Sequence, residues 1–405
     1  METRPMTAPR SAVRRLATAR IISITGGAAA YTALNFTIFQ RTGSAAWVAV
    51  SLLLTFGVTG FVGPPAGILG DRFDRRKVLI ASDLAGAACF AMMPVSSEPA
   101  WLLPWAFLSA IAEAPFWSAS EAAIPNLAGP ELTTWANSLL GASRMAGIAI
   151  GPALGGALLI VLSPGAVFGL NAASFVLSAV IILTVRARFS GERGEEEEFR
   201  GLRAGFRFLR QDRVLRTLLL AWVVFISGMG MSMVADAPLA VFFDAGSLGF
   251  GLLITAWGGG SALGSLIART MREGAEGTWL VTAGTVIAAT GLGIGVSPWF
   301  ALALALMFVM GLADGTTIIA ETNLRQRRAP DAVRSRVSAA FMGVMHLMLA
   351  FAYVVAAFVV PWIGPRSTYL VGGVTAGLAV FVLLRMKRYL ELDEAERLER
   401  MGGSV

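Results

Sequence analysis

The sequence predicts an all-α polytopic membrane protein with twelve transmembrane helices in two six-helix repeats. Of the 405 residues, 56% are hydrophobic and only 15% are charged, whereas about a quarter of the residues in soluble domains are charged. About twelve apolar stretches reach the length of about 20 residues that spans a bilayer. A long polar segment separates these stretches into two halves of similar size. A β-barrel is excluded because alternating segments of about ten residues are lacking.

The apolar stretches define the domain organisation. We place the spans roughly at residues 19–40, 46–68, 78–97, 101–124, 138–162, 165–186, 214–236, 246–269, 279–297, 299–321, 335–360 and 367–386. The resulting parts are an N-terminal tail (1–18), a first six-helix bundle (19–186), a linker (187–213), a second bundle (214–386) and a C-terminal tail (387–405). The halves echo each other weakly, since Glu121 corresponds to Glu321 and Pro130 to Pro330.

The distribution of basic residues predicts the orientation in the membrane. Alternate connections are rich in arginine, notably 72–77, 186–216 and 325–336, and the connections between them are short and poor in charge. Lys and Arg concentrate in cytoplasmic loops. We therefore predict a multi-pass protein of the inner (plasma) membrane with both termini in the cytoplasm.

Composition also excludes several classes of function. The net charge of +7 comes from short blocks of basic residues between apolar runs. This pattern reflects the topology of a membrane protein and predicts no nucleic-acid partner. Neither lysine belongs to a phosphate-binding Gly-x-x-x-x-Gly-Lys loop. With one cysteine and one histidine, His346, we expect no metal site and no cofactor, and His346 is more typical of helix packing. No nucleophile–base constellation points to an enzyme.

A short charged loop follows the second span. Its spacing, Gly67-x-x-x-Asp71-Arg72-x-x-Arg75-Arg76, resembles the loop signature between helices 2 and 3 of the major facilitator superfamily, except that Asp74 stands where that family usually has Gly. The resemblance implies the fold of that superfamily, with two bundles facing each other across a central site. It also implies that these five residues gate the transport path. Asp71 is expected to cap a neighbouring helix.

The fifth span carries a second motif. Its small or bending residues are Gly147, Gly151, Pro152, Gly155 and Gly156. They predict a flat face for close helix packing and a bend. The pattern also resembles the Gly-Pro-x-x-Gly-Gly motif of proton-coupled exporters in the superfamily, which implies a hinge and seal between helices 5 and 8. Residues 258–260 and Gly264 are the expected counterpart on the eighth span.

The resemblance to the superfamily covers most of residues 19–390. The stretches 115–127 and 136–139 narrow it to one branch of that superfamily. They are similar to the branch that contains enterobactin-type siderophore exporters and macrolide or multidrug efflux proteins. This resemblance implies a small-molecule substrate, protons as the coupling ion, a lipid bilayer around the chain and a monomer.

Charged residues inside the spans are the candidates for chemistry. Each costs several kcal/mol unless it is paired or faces water. Glu113 lies midway along the fourth span and Asp314 at a comparable level of the tenth, where the family resemblance places cavity-lining helices. Each carboxylate can bind a proton or a cationic substrate, or be a permanently paired structural charge. Arg144 is either the positive partner of a carboxylate or an interfacial residue.

Further residues are assigned to gating or to the cavity wall. Glu121 is expected to form a latch with Arg75 or Arg76, and Glu321 with a basic residue of the 325–336 loop. Thr32 and Asn35 lie about one turn apart on the first span and suit a wettable cavity wall.

The leading functional hypothesis is a secondary active transporter, a proton-coupled exporter of small amphipathic molecules that works by alternating access. One alternative is a facilitator, or a transporter of lipid-like substrates, without proton exchange. The other is a non-transporting receptor or scaffold that uses the linker over 187–213.

Overall fold

The computed structural model describes residues 8–57, 61–62, 73–190, 202–272, 274–330 and 333–402, and these ranges contain helices and no strand. The main helices are α1 (Pro9–Thr42), α2 (Ala45–Leu52), α3 (Arg75–Met92), α4 (Pro99–Ala122), α5 (Thr133–Val161), α6 (Pro164–Thr184), α7 (Arg213–Phe242), α8 (Gly246–Ile267), α9 (Glu276–Val296), α10 (Phe300–Arg328) and α11 (Arg334–Gly402). A linker helix covers Leu202–Gln211, and a short helix covers Ile124–Ala128. The predicted all-helical class is confirmed.

Within these ranges, nine helices are long and apolar enough to cross a membrane. The number of spans stays a prediction, partly because α11 runs through both the eleventh and the twelfth predicted span. Gly364 interrupts α11 with a φ of 76° and a ψ of 169°, beside Pro365. The chain therefore turns at the Gly-Pro pair where the sequence predicts a short connection.

Helix α1 begins earlier than predicted. It starts at Pro9, inside the segment predicted as a tail over 1–18. Ala12, Val13 and Leu16 are fully or almost fully buried, so burial of their apolar side chains stabilises the additional turns. The helix ends at Gly43, whose φ of 60° suits a glycine after a helix.

Side-chain caps set two other helix starts. The Asp74 carboxylate accepts a hydrogen bond of 3.1 Å from the backbone N–H of Lys77 and caps α3. Ser163 caps α6 by accepting from the N–H of Ala166. Asp71 lies outside the described residues, so its expected capping role stays a prediction.

The chain divides into two compact units. Unit 1 comprises Met1–Glu196 and Ala237–Thr255, and unit 2 comprises Glu197–Asp236 and Ala256–Val405. The end of α7 and the first part of α8 thus group with unit 1, and the bundle bounds given by the sequence stay a prediction. Two hydrogen bonds explain this grouping: Ser247 Oγ donates to the Gly156 carbonyl at 3.0 Å, and the N–H of Ala153 donates to Thr255 Oγ1 at 3.0 Å.

Unit 1 is held together by an apolar core near one end of its helices. The core joins α1, α3, α4, α5 and α6 with the short helix, through residues such as Leu16, Leu79, Phe116, Leu140 and Ile182. Phe90 on α3 lies centrally and packs with its ring 5.7 Å from Tyr31 and 5.8 Å from Phe175. This packing joins α1, α3 and α6, and Tyr31 on α1 also reaches the candidate carboxylate, Glu113 on α4, through a hydrogen bond.

Unit 2 combines an apolar core with a group of ion pairs. The core joins the linker helix, α7, α9, α10 and α11 through residues such as Leu209, Leu215, Leu280, Leu324 and Phe341. Arg328 at the end of α10 pairs with Asp212 at 2.9 Å and with Asp393 at 2.7 Å. Asp393 also pairs with Arg213. These pairs join the helix ends at the side that the sequence predicts to be cytoplasmic.

Candidate transport and gating sites

Glu113 lies inside α4 and accepts hydrogen bonds from two neutral donors. Ser109 Oγ, one turn earlier on α4, donates at 2.7 Å, and the Tyr31 hydroxyl on α1 donates at 3.1 Å. The residue is half-buried. No cation in the described part of the chain forms an ion pair with it. Its carboxylate is therefore oriented by hydrogen bonds while its charge remains uncompensated.

Aromatic rings surround Tyr31. Its ring lies 5.7 Å from Phe90 and 5.7 Å from Phe56. Phe56 belongs to a π-helical turn, Leu53–Gly57, that continues α2. Such turns are rare and frequently occur at functional sites. On α4, Pro115 follows Glu113 by two residues and removes one backbone hydrogen bond from the helix.

Asp314 lies inside α10 in unit 2 and is 4% exposed. Among the described residues, none donates a hydrogen bond to its carboxylate and none forms an ion pair with it. Its neighbours Thr316 and Thr317 direct their hydroxyls to backbone carbonyls of α10. A buried carboxylate without a partner is costly in a membrane, so Asp314 remains a candidate for proton binding.

Arg144 does not pair with either carboxylate. Its guanidinium carbon lies 5.3 Å from the centre of the Trp117 ring on α4, and the residue is exposed. Arg20 on α1 lies at the same distance from that ring. The structure thus brings two arginines to one tryptophan.

The predicted cavity-wall residues of α1 are buried within unit 1. Thr32 donates to the Ala28 carbonyl at 2.8 Å, and Asn35 Nδ2 donates to the Tyr31 carbonyl at 3.0 Å. Their exposures are 4% and 5%. The amide oxygen of Asn35 is buried without a hydrogen-bond donor. Their predicted role in lining a cavity stays a prediction.

The charged loop is described only in its second part. Gly67, Asp71 and Arg72 lie outside the described residues. Arg75 Nη1 donates to the Ala122 carbonyl at the end of α4 at 3.0 Å, and Arg76 donates to the Leu183 carbonyl on α6. The loop arginines therefore satisfy carbonyl groups at the ends of neighbouring helices.

Glu121 is exposed and forms no ion pair with another described residue. It lies close enough to Arg20 to interact with it electrostatically. The predicted latch between Glu121 and Arg75 or Arg76 therefore stays a prediction.

Glu321 forms an ion pair with Arg325, a residue of the basic stretch that the sequence predicted as its partner. The side chains are 4% and 7% exposed, and the Arg325 guanidinium carbon lies 5.0 Å from the centre of the Phe341 ring. Both residues belong to α10, four positions apart. Since a contact within one helical turn changes little when helices move, this pair fits a stabilising role better than a latch.

The glycine face of α5 packs on α1. A Cβ built on Gly147 would lie 2.6 Å from Ile24, and one on Gly151 would lie 2.8 Å from the Thr25 carbonyl oxygen. A Cβ on Gly155 would lie 2.8 Å from the Cα of Ala29. The small residues therefore allow the two backbones to approach closely, as the motif predicts.

Gly156 faces α8, but its partners differ from the predicted ones. A Cβ on Gly156 would lie 3.1 Å from the Cα of Leu248, and one on Gly251 would lie 3.1 Å from the Pro152 carbonyl carbon. The expected counterparts, residues 258–260 and Gly264, lie further along α8. Gly260 and Gly264 pack on α10 at Leu312. Contact between α5 and α8 is therefore present at Gly156 and Gly251, and the role of residues 258–260 and Gly264 as counterpart stays a prediction.

Three further charged residues inside the predicted spans, Arg20, Asp83 and Asp236, have contacts that the sequence alone does not predict. Arg20 lies inside the first predicted span, so the rule for charges in spans could have found it. Asp83 accepts a hydrogen bond of 2.6 Å from Ser178 on α6. Asp236 on α7 accepts one from Tyr369 on α11. The partners of both carboxylates come from distant parts of the chain, where spacing gives no signal.

Comparison with known families decides the classification. The family model described as Major Facilitator Superfamily matches residues 16–271, more than half of the chain. The chain belongs to the major facilitator superfamily. It is therefore a transporter and not an enzyme, and it is a multi-pass inner-membrane protein.

Curated relatives of this superfamily member are remote but span most of its length. Macrolide efflux protein A of Streptococcus pyogenes is 24% identical over 365 residues, covering 87% of this chain and 90% of that protein. The enterobactin exporter EntS of Citrobacter koseri is 27% identical over 341 residues, covering 81% and 80%. Both support the branch that the sequence motifs resemble.

Solved structures show the same fold. A bacterial homologue of the iron transporter ferroportin, in an inward-facing state, matches with a TM-score of 0.75 at 15% identity, covering 93% of this chain and 98% of that chain. The nucleoside transporter NupG matches with a TM-score of 0.74 at 15% identity, with the same coverage. At this identity the likeness concerns the fold alone.

Proposed function

We propose that this chain is a proton-coupled exporter of small amphipathic molecules that works by alternating access. One observation carries the coupling: each unit holds a carboxylate inside a long helix, Glu113 in α4 and Asp314 in α10, that no cation in the described part of the chain neutralises. An ionised carboxylate in the bilayer costs several kcal/mol. Binding a proton removes that charge, so each group can exchange a proton during the cycle.

The direction of transport is supported by the relatives. Their names describe an efflux protein and an exporter, and each matches over at least four fifths of this chain. Helix α5 carries the glycine–proline motif of exporters, and its glycines form close contacts with α1 and α8. We therefore assign the chain to export of drug-like or siderophore-like compounds.

The proposed cycle uses the carboxylates as exchangeable sites. A proton that enters from outside neutralises Glu113 or Asp314 and favours return of the empty transporter. Substrate binding from the inside accompanies release of that proton. The ionic contacts of the charged loop from Gly67 to Arg76 would set the relative stability of the inward-open and outward-open conformations.

The remaining features of the proposal follow from charge and composition. The positive-inside rule places both termini and the linker in the cytoplasm. Protons and one small molecule are the partners, the chain works as a monomer, and it uses no cofactor.

The test is export from proteoliposomes with and without an imposed pH gradient. A panel of dyes, drugs and a siderophore would be compared for the wild type, Glu113→Gln, Asp314→Asn and the double variant. We expect gradient-driven export by the wild type and its loss in the double variant. The control Glu98→Gln changes an exposed carboxylate just before α4 and should leave export intact. Full activity of the double variant would contradict the coupling assignment, and transport insensitive to the gradient would support a facilitator.

A further inference from the structure

Two guanidinium groups lie over one indole ring in unit 1. The guanidinium carbons of Arg20 on α1 and Arg144 on α5 are each 5.3 Å from the centre of the Trp117 ring. A cation over an aromatic ring is attracted by the negative face of the ring. Two cations beside one ring also repel each other. The arrangement therefore concentrates positive charge at one place in the bundle.

Arg20 is buried without an ion pair to another described residue. It is 2% exposed, and its Nε is buried without an acceptor. In the described part of the chain its guanidinium forms neither a hydrogen bond nor an ion pair. Buried charges in proteins are normally paired, and charges within spans commonly mark a ligand path. A guanidinium with unused donors is suited to an oxyanion, which it can bind through two parallel hydrogen bonds.

One carboxylate neighbours the cluster. Glu121 lies four residues after Trp117 on α4 and interacts electrostatically with Arg20, but it forms no ion pair with it. Among the described residues, the two arginines and this carboxylate leave a net charge of one positive unit. Glu113, four residues before Trp117, is held by Tyr31 and Ser109. The cluster therefore has an excess of positive charge that would attract an anion.

The position of the cluster suits loading from the cytoplasm. Trp117 and Glu121 lie in the last two turns of α4, at the end that the positive-inside rule assigns to the cytoplasm. Arg144 is exposed, so the cluster has one open side. Arg20 and Trp117 form the inner side.

We propose that Arg20, Arg144 and Trp117 form a binding site for an oxyanion group of the transported molecule, such as a carboxylate, sulfonate or phosphate. The proposal rests on the proposed transport function, because it treats the ligand as cargo. It adds that the substrate class includes amphipathic organic anions. Arg20 supplies the buried donors, Arg144 closes the site, and Trp117 holds the two guanidinium groups together.

The test is equilibrium binding, which requires neither a proton gradient nor transport. Two dyes with the same xanthene ring and opposite charge, carboxyfluorescein and tetramethylrhodamine methyl ester, would be titrated by fluorescence anisotropy against the full chain in phosphatidylcholine nanodiscs. We expect Arg144→Gln and Arg20→Gln each to weaken carboxyfluorescein binding at least ten-fold and to leave the cationic dye within two-fold. Arg41→Gln, at the other end of α1 and exposed, should change neither.

The outcomes separate this proposal from the transport function. Absence of carboxyfluorescein binding by the wild type, or equal changes for both dyes in Arg144→Gln, would overturn the site while leaving coupled export untouched. Because Arg144 is exposed, this variant should fold even if Arg20→Gln does not. A final experiment repeats the carboxyfluorescein titration in nanodiscs that contain phosphatidylglycerol. If phosphatidylglycerol abolishes carboxyfluorescein binding by the wild type, the site holds a lipid headgroup and the cargo proposal is overturned.

Discussion

The environment of Glu113 shows how one residue can be ordered and yet uncompensated in charge. Ser109 and Tyr31 both donate to the same carboxylate oxygen, at 2.7 and 3.1 Å. Hydrogen bonds to a charged group contribute about 1.5 to 3 kcal/mol, more than neutral ones. They fix the direction of the carboxylate without neutralising it. The group can therefore gain or lose a proton in a defined geometry.

The Tyr31 hydroxyl can be removed without removing its ring. In Tyr31→Phe the contacts with Phe56 and Phe90 remain, and one hydrogen bond to Glu113 is lost. A loss of about 1.4 kcal/mol corresponds to a factor of ten, so we expect coupled export to fall about ten-fold with little change in Tm. Initial export rates in proteoliposomes measure this. Tyr389→Phe keeps the ring contact with Arg213 and should retain full activity; equal loss in both variants would refute a specific role for Tyr31.

Glu321 and Arg325 form the buried ion pair of α10. Arg325→Gln leaves the Glu321 carboxylate buried and unpaired, so we expect a loss of about 3 to 5 kcal/mol in stability. The double variant Glu321→Gln with Arg325→Gln should recover much of that loss. Thermal unfolding of the purified proteins measures both. The exposed pair Lys387–Glu391, also four residues apart, is the control, where Glu391→Gln should cost at most about 1 kcal/mol.

For individual residues, the sequence predicted which charged side chains lie inside the spans but not which other side chains contact them. The rule that charges in spans are costly selected Glu113 and Asp314 directly. Ser109 could have been added, since it lies one helical turn before Glu113. Tyr31 comes from another helix 82 positions away, and Arg20 lies just inside the first predicted span. Contacts between helices depend on their rotation, which hydropathy does not determine.

Among the elements, α5 is the most specialised for packing. Gly147, Gly151 and Gly155 recur every four residues and meet the backbone or side chains of α1. Gly156, adjacent in sequence, points to α8 instead. The helix therefore contacts two neighbours through small residues on two faces. Any movement of α8 relative to α1 would have to pass through these contacts.

Substitution of Gly155 by alanine tests this packing. The added Cβ would collide with the backbone of Ala29, and overpacking typically costs about 1 to 3 kcal/mol. Gly141 lies on the same helix with nothing within 4 Å of the added atom, so Gly141→Ala should be neutral or stabilising by up to about 1 kcal/mol. Thermal unfolding and export rates of the two variants provide the measurement. A Gly155→Ala protein as stable and active as Gly141→Ala would show that close packing here is dispensable.

Element positions were largely predictable from apolar length. The exceptions have local physical causes: α1 extends back to Pro9 because its additional turns bury apolar side chains, and α2 contains a π-helical turn that hydropathy cannot show. The sequence did not point to Gly251 as a contact of α5, because small residues permit close contact anywhere along a helix. They do not specify which helix approaches.

For the whole molecule, the predicted orientation rests on charge distribution alone. In unit 2, ion pairs of Arg213, Arg327 and Arg328 join helix ends on one side. In unit 1, Arg15 and Arg76 donate to carbonyls at the end of α6. Basic residues in the described part thus stabilise helix ends that the positive-inside rule assigns to the cytoplasm.

Orientation can be measured by labelling engineered cysteines in a Cys89→Ala background. Glu98→Cys lies in a connection predicted to be external, and Arg188→Cys lies in one predicted to be internal; both positions are exposed. A membrane-impermeant maleimide should label intact cells only through position 98. After permeabilisation both positions should react. Labelling of position 188 in intact cells would reverse the proposed topology.

The central claim is that Glu113 and Asp314 exchange protons with the outside as substrate leaves. The most direct measurement is proton movement in proteoliposomes that contain a pH-sensitive dye, started by a substrate gradient without an imposed pH gradient. The account predicts substrate-dependent proton flux opposite to substrate for the wild type and none for Glu113→Gln with Asp314→Asn. Substrate movement without proton flux in the wild type, or unchanged proton flux in the double variant, would contradict it.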